Sequence, residues 1–314
     1  MPDERFDLRA IACDIWAGFV FVNFAPDPEP LVDYLQPLPG LIDPYKPERM
    51  RLTSRKQAIV PCNWKVVIDA FNEGYHLMGT HPEMLEWKDD AAMTYRPFDR
   101  HSVYGGGGEP KPSPRLGIDP EDVDQSDLLA LKVQGLIEAM PGYFTPDDIA
   151  ALDELKRTRL PEGVSAGEYY LARRRNGAAA RGLDWSALDD GQVLGGDVPL
   201  IFPTLLGPII GGGWFAYRAR PNGWNPGSSI FELWTMEELP EDCEWPPTVK
   251  RQEHEPLGHD WGTVLNQDFG NFENVQRGLS VPDGPPLMWN RRQEACVRRF
   301  HEVVDDYLFG SAGR

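Results

Sequence analysis

The chain has 314 residues, 41% of them hydrophobic and 25% charged, with a formal net charge of −18. It is long enough to bury a substantial core, and its acidity argues against nucleic acid and anionic membrane surfaces as partners. No run is apolar and long enough to cross a bilayer, and none reads as a signal peptide. The four cysteines, Cys13, Cys62, Cys243 and Cys296, stand far apart, so free thiols in a reducing cytoplasm are expected.

Residues 1–26 read as apolar strands, clearest from Ile15 to Phe24, and stop at the break Pro26–Pro30. A short helix is expected over Leu31–Leu38, a strand over Met50–Val60 and another over Thr94–Tyr104. Gly105–Pro114 is low in complexity and reads as a loop. Pro120–Arg159 is acidic and helix-prone, with a second helix beginning after Thr145-Pro146. Arg173-Arg174-Arg175 reads as an exposed helix face. Val198–Leu206, Ile209–Arg218 and Ser228–Met236 look like consecutive antiparallel strands joined by glycine and Pro-Asn-Gly turns. The closing helix, Asn290–Phe309, carries an apolar stripe through Val297, Phe300, Val303, Val304 and Leu308. One antiparallel group of strands flanked by a few long helices makes an α+β domain.

The chemistry concentrates in Cys62–Met84. Val66, Val67, Ala70, Phe71 and Leu77 recur at helical spacing, and Glu73 and His76, three apart, fall on one side of such a helix. His81 lies about 140° further round an ideal helix than His76. Gly79 and Pro82 interrupt the helix there and let His81 turn back towards His76. Far downstream, Asp268 stands among Leu265, Phe272, Val275 and Leu279 on what reads as a buried helix face. A carboxylate on such a face is costly unless a charge meets it. Two histidines and a carboxylate form the facial triad of non-haem Fe(II) oxygen-activating enzymes, which leaves three positions of the octahedron open. The same ligands also suit zinc with a bound water.

Asn63-Trp64-Lys65, Glu73-x-Tyr75-His76-x4-His81 and Asp268-x2-Asn271-x-Glu273-x2-Gln276-x-Gly278-Leu279 together resemble a known family. It is the catalytic domain of Rieske non-haem iron, aromatic-ring-hydroxylating oxygenases, in their large (alpha) subunit. The resemblance runs from Gly18–Leu38, similar to the segment that leaves the Rieske domain, through Phe202–Pro221 to the C-terminal helix. It implies that residues 1–48 are a remnant and linker from the end of a Rieske domain and that 49–314 form the mononuclear iron domain. The implied fold is a START-like helix-grip: a curved antiparallel sheet gripping a long C-terminal helix.

By this resemblance Fe(II) is held by His76, His81 and Asp268, and Glu73 is the catalytic acid that bridges to the Rieske centre of a neighbouring subunit. A [2Fe–2S] centre needs paired Cys-x-His and Cys-x2-His ligands, and this chain has neither pair. Electrons are therefore expected from a Rieske centre not encoded here, fed by a ferredoxin or reductase, in a homotrimer or alpha3beta3 assembly. The implied reaction is O2-dependent hydroxylation or oxidative demethylation of an aromatic or other hydrophobic small molecule. The alternative is a non-catalytic binder of hydrophobic ligands that uses the same cavity. Phe71, Leu77, Met84, Phe202, Leu205 and Phe215 are candidates to line it, and Asp69 sits where many relatives carry Asn. Glu273 and Gln276 are expected to brace the Asp268 helix, while His101, His254, His259 and His301 read as structural.

Overall fold

Two long strands, Gly213–Asn222 and Asn225–Glu238, are paired and buried on both faces over most of their length. Phe215, Tyr217, Phe231 and Leu233 enter one core, and Trp214, Ala216, Trp234 and Met236 enter another. That is the period of two a strand imposes, with apolar residues on both sides. Such strands need cover above and below, and the remaining elements supply it. The computed structural model describes residues 10–106, 109–244, 247, 249–284 and 286–310. The first nine residues of the expected N-terminal strands and Gly107-Gly108 of the expected glycine loop lie outside them.

In chain order the elements are β1 (Ala12–Trp16), β2 (Phe19–Asn23), α1 (Leu31–Tyr34), α2 (Leu38–Ile42), β3 (Met50–Val60), α3 (Trp64–Ala70) and α4 (Leu77–Thr80). There follow β4 (Thr94–Pro97), β5 (Ser102–Gly105), α5 (Gln125–Ala139), α6 (Pro146–Leu155), α7 (Ala166–Ala180) and α8 (Asp190–Leu194). The C-terminal part holds β6 (Asp197–Ile201), β7 (Leu205–Leu206), β8 (Ile209–Ile210), β9 (Gly213–Asn222), β10 (Asn225–Glu238), β11 (Gln252–Glu253), α9 (Thr263–Leu279) and α10 (Ala295–Phe309).

The main sheet has the order β11-β3-β10-β9-β7-β6-β5-β4, with β8 pairing β6 and β9. Every pair is antiparallel except β11 on β3. The fold is therefore α+β with a large, mainly antiparallel sheet. Helices α3, α9 and α10 cover one face through Val67, Phe272 and Phe300. The other face is covered by α2 and the β1–β2 hairpin, where Phe19 stacks on Trp234 with ring centroids 5.6 Å apart. That hairpin turns at Ala17 (φ 55°) and Gly18 (φ 79°), the left-handed pair a two-residue turn requires.

Four expectations are corrected. The single strand over Thr94–Tyr104 is two, β4 and β5, because Phe98 N–H bonds the His101 carbonyl at 2.9 Å and folds the segment into a hairpin. Of the three consecutive arginines on α7, Arg174 is buried at 2% exposure and bonds Asp148. Neighbouring residues on a helix point about 100° apart, so three in a row cannot share one solvated face. Val275 and Leu279 are exposed on α9 at 45% and 44%, and the buried face of that helix is Leu265, Asp268, Phe269 and Phe272. Leu308 in the closing helix is likewise exposed.

One charged group sits within the sheet itself. Glu232 of β10 is fully buried and accepts from Arg218 Nε at 2.8 Å and Arg220 Nε at 3.3 Å, with Arg55 at 3.5 Å. Burial pushes its carboxyl up, but the arginine hydrogen bonds and charges outweigh this and hold it below the ordinary glutamate value. A depressed folded-state value means the stabilisation is present above about pH 4.3 and fades as the pH falls through the folded value. Glu232→Gln is expected to lower stability at neutral pH by about 1–2 kcal/mol. The gap from wild type should narrow on acidification, and urea midpoints at neutral and acid pH that differ equally would refute this.

Candidate metal centre

The helix expected to run through Glu73 and His76 stops at Ala70, and residues 71–76 form a turn before α4. The cause is local. The Glu73 carboxylate accepts the backbone N–H of Tyr75 and, at 3.1 Å, that of His76. A side chain that takes these donors replaces the helical ladder with a turn. Gly74 allows the chain to pass close to Met93, since a Cβ there would meet the Met93 Sδ and Cε at 2.7 Å. At the far end His81 has φ −125° and ψ 54°, with Pro82 opening a short 3-10 turn, so the proline does release His81 from the helix.

Among the described residues, His76, His81 and Asp268 form the one group of three such side chains whose ligand atoms all lie within 4.8 Å of one another. Asp268 Oδ1 is 3.2 Å from His81 Nε2 and 3.7 Å from His76 Nε2. The two rings lie 5.1 Å apart at 72°. Each ring is held from behind. His76 Nδ1 meets Glu73 Oε1 at 2.5 Å, and His81 Nδ1 meets Gln267 Oε1 at 2.6 Å. A carboxylate or amide oxygen accepts the Nδ1 proton and leaves Nε2 as the free lone pair, the arrangement that orients metal-ligating imidazoles. His81 Nε2 and Asp268 Oδ2 are buried and without a hydrogen-bond partner.

Glu73 is 7% exposed, not a surface glutamate. Burial lowers the His76 value, but the Glu73 hydrogen bond and charge, and then Asp268, raise it above the ordinary histidine value. In front of the triad lies a cavity of about 140 Å³ whose wall includes Phe71, Leu77, Met84, Tyr104 and Tyr217. Burial, then Glu73 and Asp268 respectively, push the Tyr104 and Tyr217 phenols far up, so both stay neutral donors. Residues 120–159 also reach this cavity, through Lys132, Leu136 and Met140. Phe202 and Leu205 instead line a separate cleft beneath the β1–β2 hairpin, and Phe215 belongs to the core.

Helix α9 is fastened to the Cys62–Met84 segment by side chains. Asn271 Nδ2 donates to Thr80 Oγ1 at 3.2 Å, and Gln276 Oε1 accepts from Asn63 N at 2.7 Å. Gln276 thus braces the helix as expected, while Glu273 is exposed. Gln267 belongs to no motif, and only the tertiary contact with His81 gives it a role. His301 and Asp69 pair at 2.9 Å, joining α10 to α3. Burial raises Asp69, and the His301 contact opposes that rise.

A family described as the ring hydroxylating alpha subunit (catalytic domain) matches residues 47–310. A glycine betaine monooxygenase oxygenase subunit of Chromohalobacter salexigens is 34% identical over 87 residues, covering 26% of this chain and 20% of that protein. A carnitine monooxygenase oxygenase subunit of Escherichia coli is 31% identical over 81 residues, 25% of this chain and 22% of that protein. The matched stretch thus spans about a fifth of these curated relatives. A solved quaternary ammonium Rieske monooxygenase superposes with a TM-score of 0.53 at 13% identity, over 95% of this chain and 62% of that one. A naphthalene 1,2-dioxygenase variant bound to phenanthrene gives a TM-score of 0.53 at 13% identity, over 95% and 64%. At that identity the two structures share the fold. The chain belongs to the ring-hydroxylating oxygenase alpha-subunit family and carries its catalytic domain.

Proposed function

We propose that this protein is the catalytic part of an oxygenase that uses one Fe(II), held by His76, His81 and Asp268, to hydroxylate or oxidatively demethylate a small organic molecule with O2. The observation that carries this reading is the pair of orphaned polar atoms, His81 Nε2 and Asp268 Oδ2, buried at one point beside His76. Unpaired buried groups of this kind are costly in a folded protein, and a divalent cation relieves the cost. Iron bound there supplies one-electron and O2 chemistry. The chain's own residues hold and aim the ligands: Glu73 and Gln267 keep the protons on Nδ1. Phe71, Leu77, Met84, Leu136 and Met140 give the cavity a largely apolar wall around the ligands. The cavity is smaller than the roughly 300–1,000 Å³ of ordinary ligand pockets, which favours a compact substrate. The matched relatives are named for glycine betaine and carnitine, compact molecules of that kind. The reading of the cavity as a passive binding site leaves the orphaned atoms without a purpose.

The residues present do not fit a [2Fe–2S] cluster: Cys13 and Cys243 are exposed, Cys62 and Cys296 buried, and none joins the ligand group. We infer that a ferredoxin or reductase delivers the reducing equivalents from outside this chain, in a trimeric assembly, and we assign Glu73 to that contact because it touches His76. Residues 1–48 are assigned to the connection from an electron-transfer domain and 49–314 to the catalytic domain, and the match beginning at residue 47 supports that boundary. The helix-grip reading rests on α10, which sends Phe300 and Val303 into the core under the sheet. Among the described residues no helix is long and apolar enough to cross a membrane, and a cytoplasmic location is part of the proposal. The test is iron content after anaerobic reconstitution with Fe(II), on wild type and on His81→Ala. About one iron per chain in wild type and none in the variant is the expected result. Wild type that holds no iron would sink the oxygenase reading.

A further inference from the structure

Two tyrosines on the wall of the triad's cavity carry hydroxyls that the fold itself does not use. Tyr104 of β5 and Tyr217 of β9 both line the space that His76, His81 and Asp268 line. Packing fixes their rings: Tyr217 lies against Phe71 with centroids 4.7 Å apart, and Tyr104 stacks on Tyr95 at 6.0 Å and 7°. Among the described residues, the Tyr217 hydroxyl reaches only the Met140 sulfur, at 4.0 Å, and the Tyr104 hydroxyl has no hydrogen-bond partner. A thioether is a weak acceptor. Phe71, Phe215 and Phe231 surround the Tyr217 ring without a hydroxyl of their own, so packing alone does not call for one there.

Buried tyrosine hydroxyls usually find a partner, because a polar group taken out of water without one is costly. A ligand atom that accepts the hydrogen bond relieves that cost. The surroundings say what charge such an atom should carry. The two phenols feel each other or the same carboxylate: Tyr104 lies within electrostatic reach of Glu73, Tyr217 and Asp268, and Tyr217 within reach of Asp268. Burial first, then Glu73 for Tyr104 and Asp268 for Tyr217, keeps both hydroxyls protonated. The same carboxylates oppose a further negative charge beside them. The position therefore suits an uncharged acceptor, and a carbonyl oxygen has two lone pairs, one for each O–H.

We propose that Tyr104 and Tyr217 are specificity-determining donors, and that the substrate is a compact molecule with an uncharged carbonyl group, as in a ketone, ester or amide, whose oxygen accepts from both hydroxyls. As to which molecule is oxidised, this rests on the oxygenase reading; recognition of the carbonyl does not. A hydrocarbon would leave both donors unpaired, which is how a site built on buried hydrogen bonds rejects an analogue that lacks the matching group. An alkylammonium has no acceptor to offer them.

The test uses three probes of similar size: cyclopentanone, cyclopentane and cyclopentylammonium. Their binding is measured by equilibrium dialysis in sealed anaerobic cells, on iron-loaded protein and on protein without added metal. Wild type is compared with Tyr104→Phe, Tyr217→Phe and the double variant, each probe against itself, so that differences in hydration among the probes drop out. Each single substitution is expected to weaken cyclopentanone about tenfold in both forms and to leave the other two probes within about twofold. The denaturation midpoint of the ligand-free protein should not fall, because the lost hydroxyls hold nothing in the fold. Four outcomes would overturn the proposal: no binding of cyclopentanone to wild type, cyclopentanone binding that survives the double variant, equal weakening of all three probes, or weakening of cyclopentylammonium alone. If a variant fails to fold, the infrared C=O stretch of cyclopentanone bound to wild type decides. It should lie below its value in cyclohexane, and an unshifted band would refute the hydrogen bonds. Failure of the oxygenase reading would show differently, as carbonyl recognition in a protein that takes up no iron.

Discussion

Asp268→Ala is expected to abolish iron binding and, in the metal-free protein, to leave stability unchanged or raise it by about 1–3 kcal/mol. The two effects have opposite signs for one reason. Asp268 is 3% exposed, and its Oδ2 has no hydrogen-bond partner. Without a cation the carboxylate is a desolvated charge only partly met by His81 at 3.2 Å, so removing it relieves a cost. With a cation it is one of three ligands, and two imidazoles alone make a weak site for ferrous iron. Thermal unfolding with and without anaerobic Fe(II) reads both effects. Saturating metal should stabilise wild type, by about 2.7 kcal/mol at a concentration one hundred times Kd, and should not stabilise the variant. A variant that keeps its iron would remove Asp268 from the ligand set. A metal-free variant that loses several kcal/mol would make Asp268 a structural residue.

The second large effect lies away from the cavity. Arg174→Met should destabilise the protein by about 3–5 kcal/mol, without changing iron stoichiometry in whatever remains folded. Arg174 is fully enclosed. Its Nε meets Asp148 Oδ1 at 2.5 Å, its Nη1 donates to the Val193 carbonyl, and its Nη2 donates to the Gly211 carbonyl at 3.0 Å. Asp148 is itself 2% exposed and closes the start of α6, accepting from Thr145 N at 2.8 Å. One guanidinium thus joins α6, α7, the end of α8 and the turn before β9. Methionine keeps only the apolar stem and would leave the Asp148 charge and two carbonyls buried without the guanidinium donor, the costliest way to break a buried pair. Denaturant midpoints decide the matter. A change within about 0.5 kcal/mol, the range of ordinary surface substitutions, would show that the pair contributes nothing net.

Local rules account for much of what could be read along the chain. Strand β3 falls on Met50–Val60 because its pattern needs no partner to be recognised. The Pro82 signal places His81 outside a helix because the proline constraint acts on the residue before it. The pairing of two histidines with a distant aspartate was legible as chemistry, since few arrangements tolerate an acid on an apolar helix face. Other features depend on residues far apart in sequence. Whether Val275 and Leu279 are covered, and which of three arginines turns inward, follows from which neighbour packs on each helix.

The α+β class and the candidate ligand set were thus legible in sequence alone, because periodicity and side-chain chemistry are properties of residue order. Tertiary structure decided the turn at residues 71–76, where Glu73 takes backbone N–H groups that a helix would otherwise use. It decided too that Gln267 holds His81, and that Tyr104 and Tyr217 share one wall with the triad. No spacing rule reaches across 186 residues from His81 to Gln267. Only the packing of α9 against the Cys62–Met84 segment brings such groups within a hydrogen bond of each other.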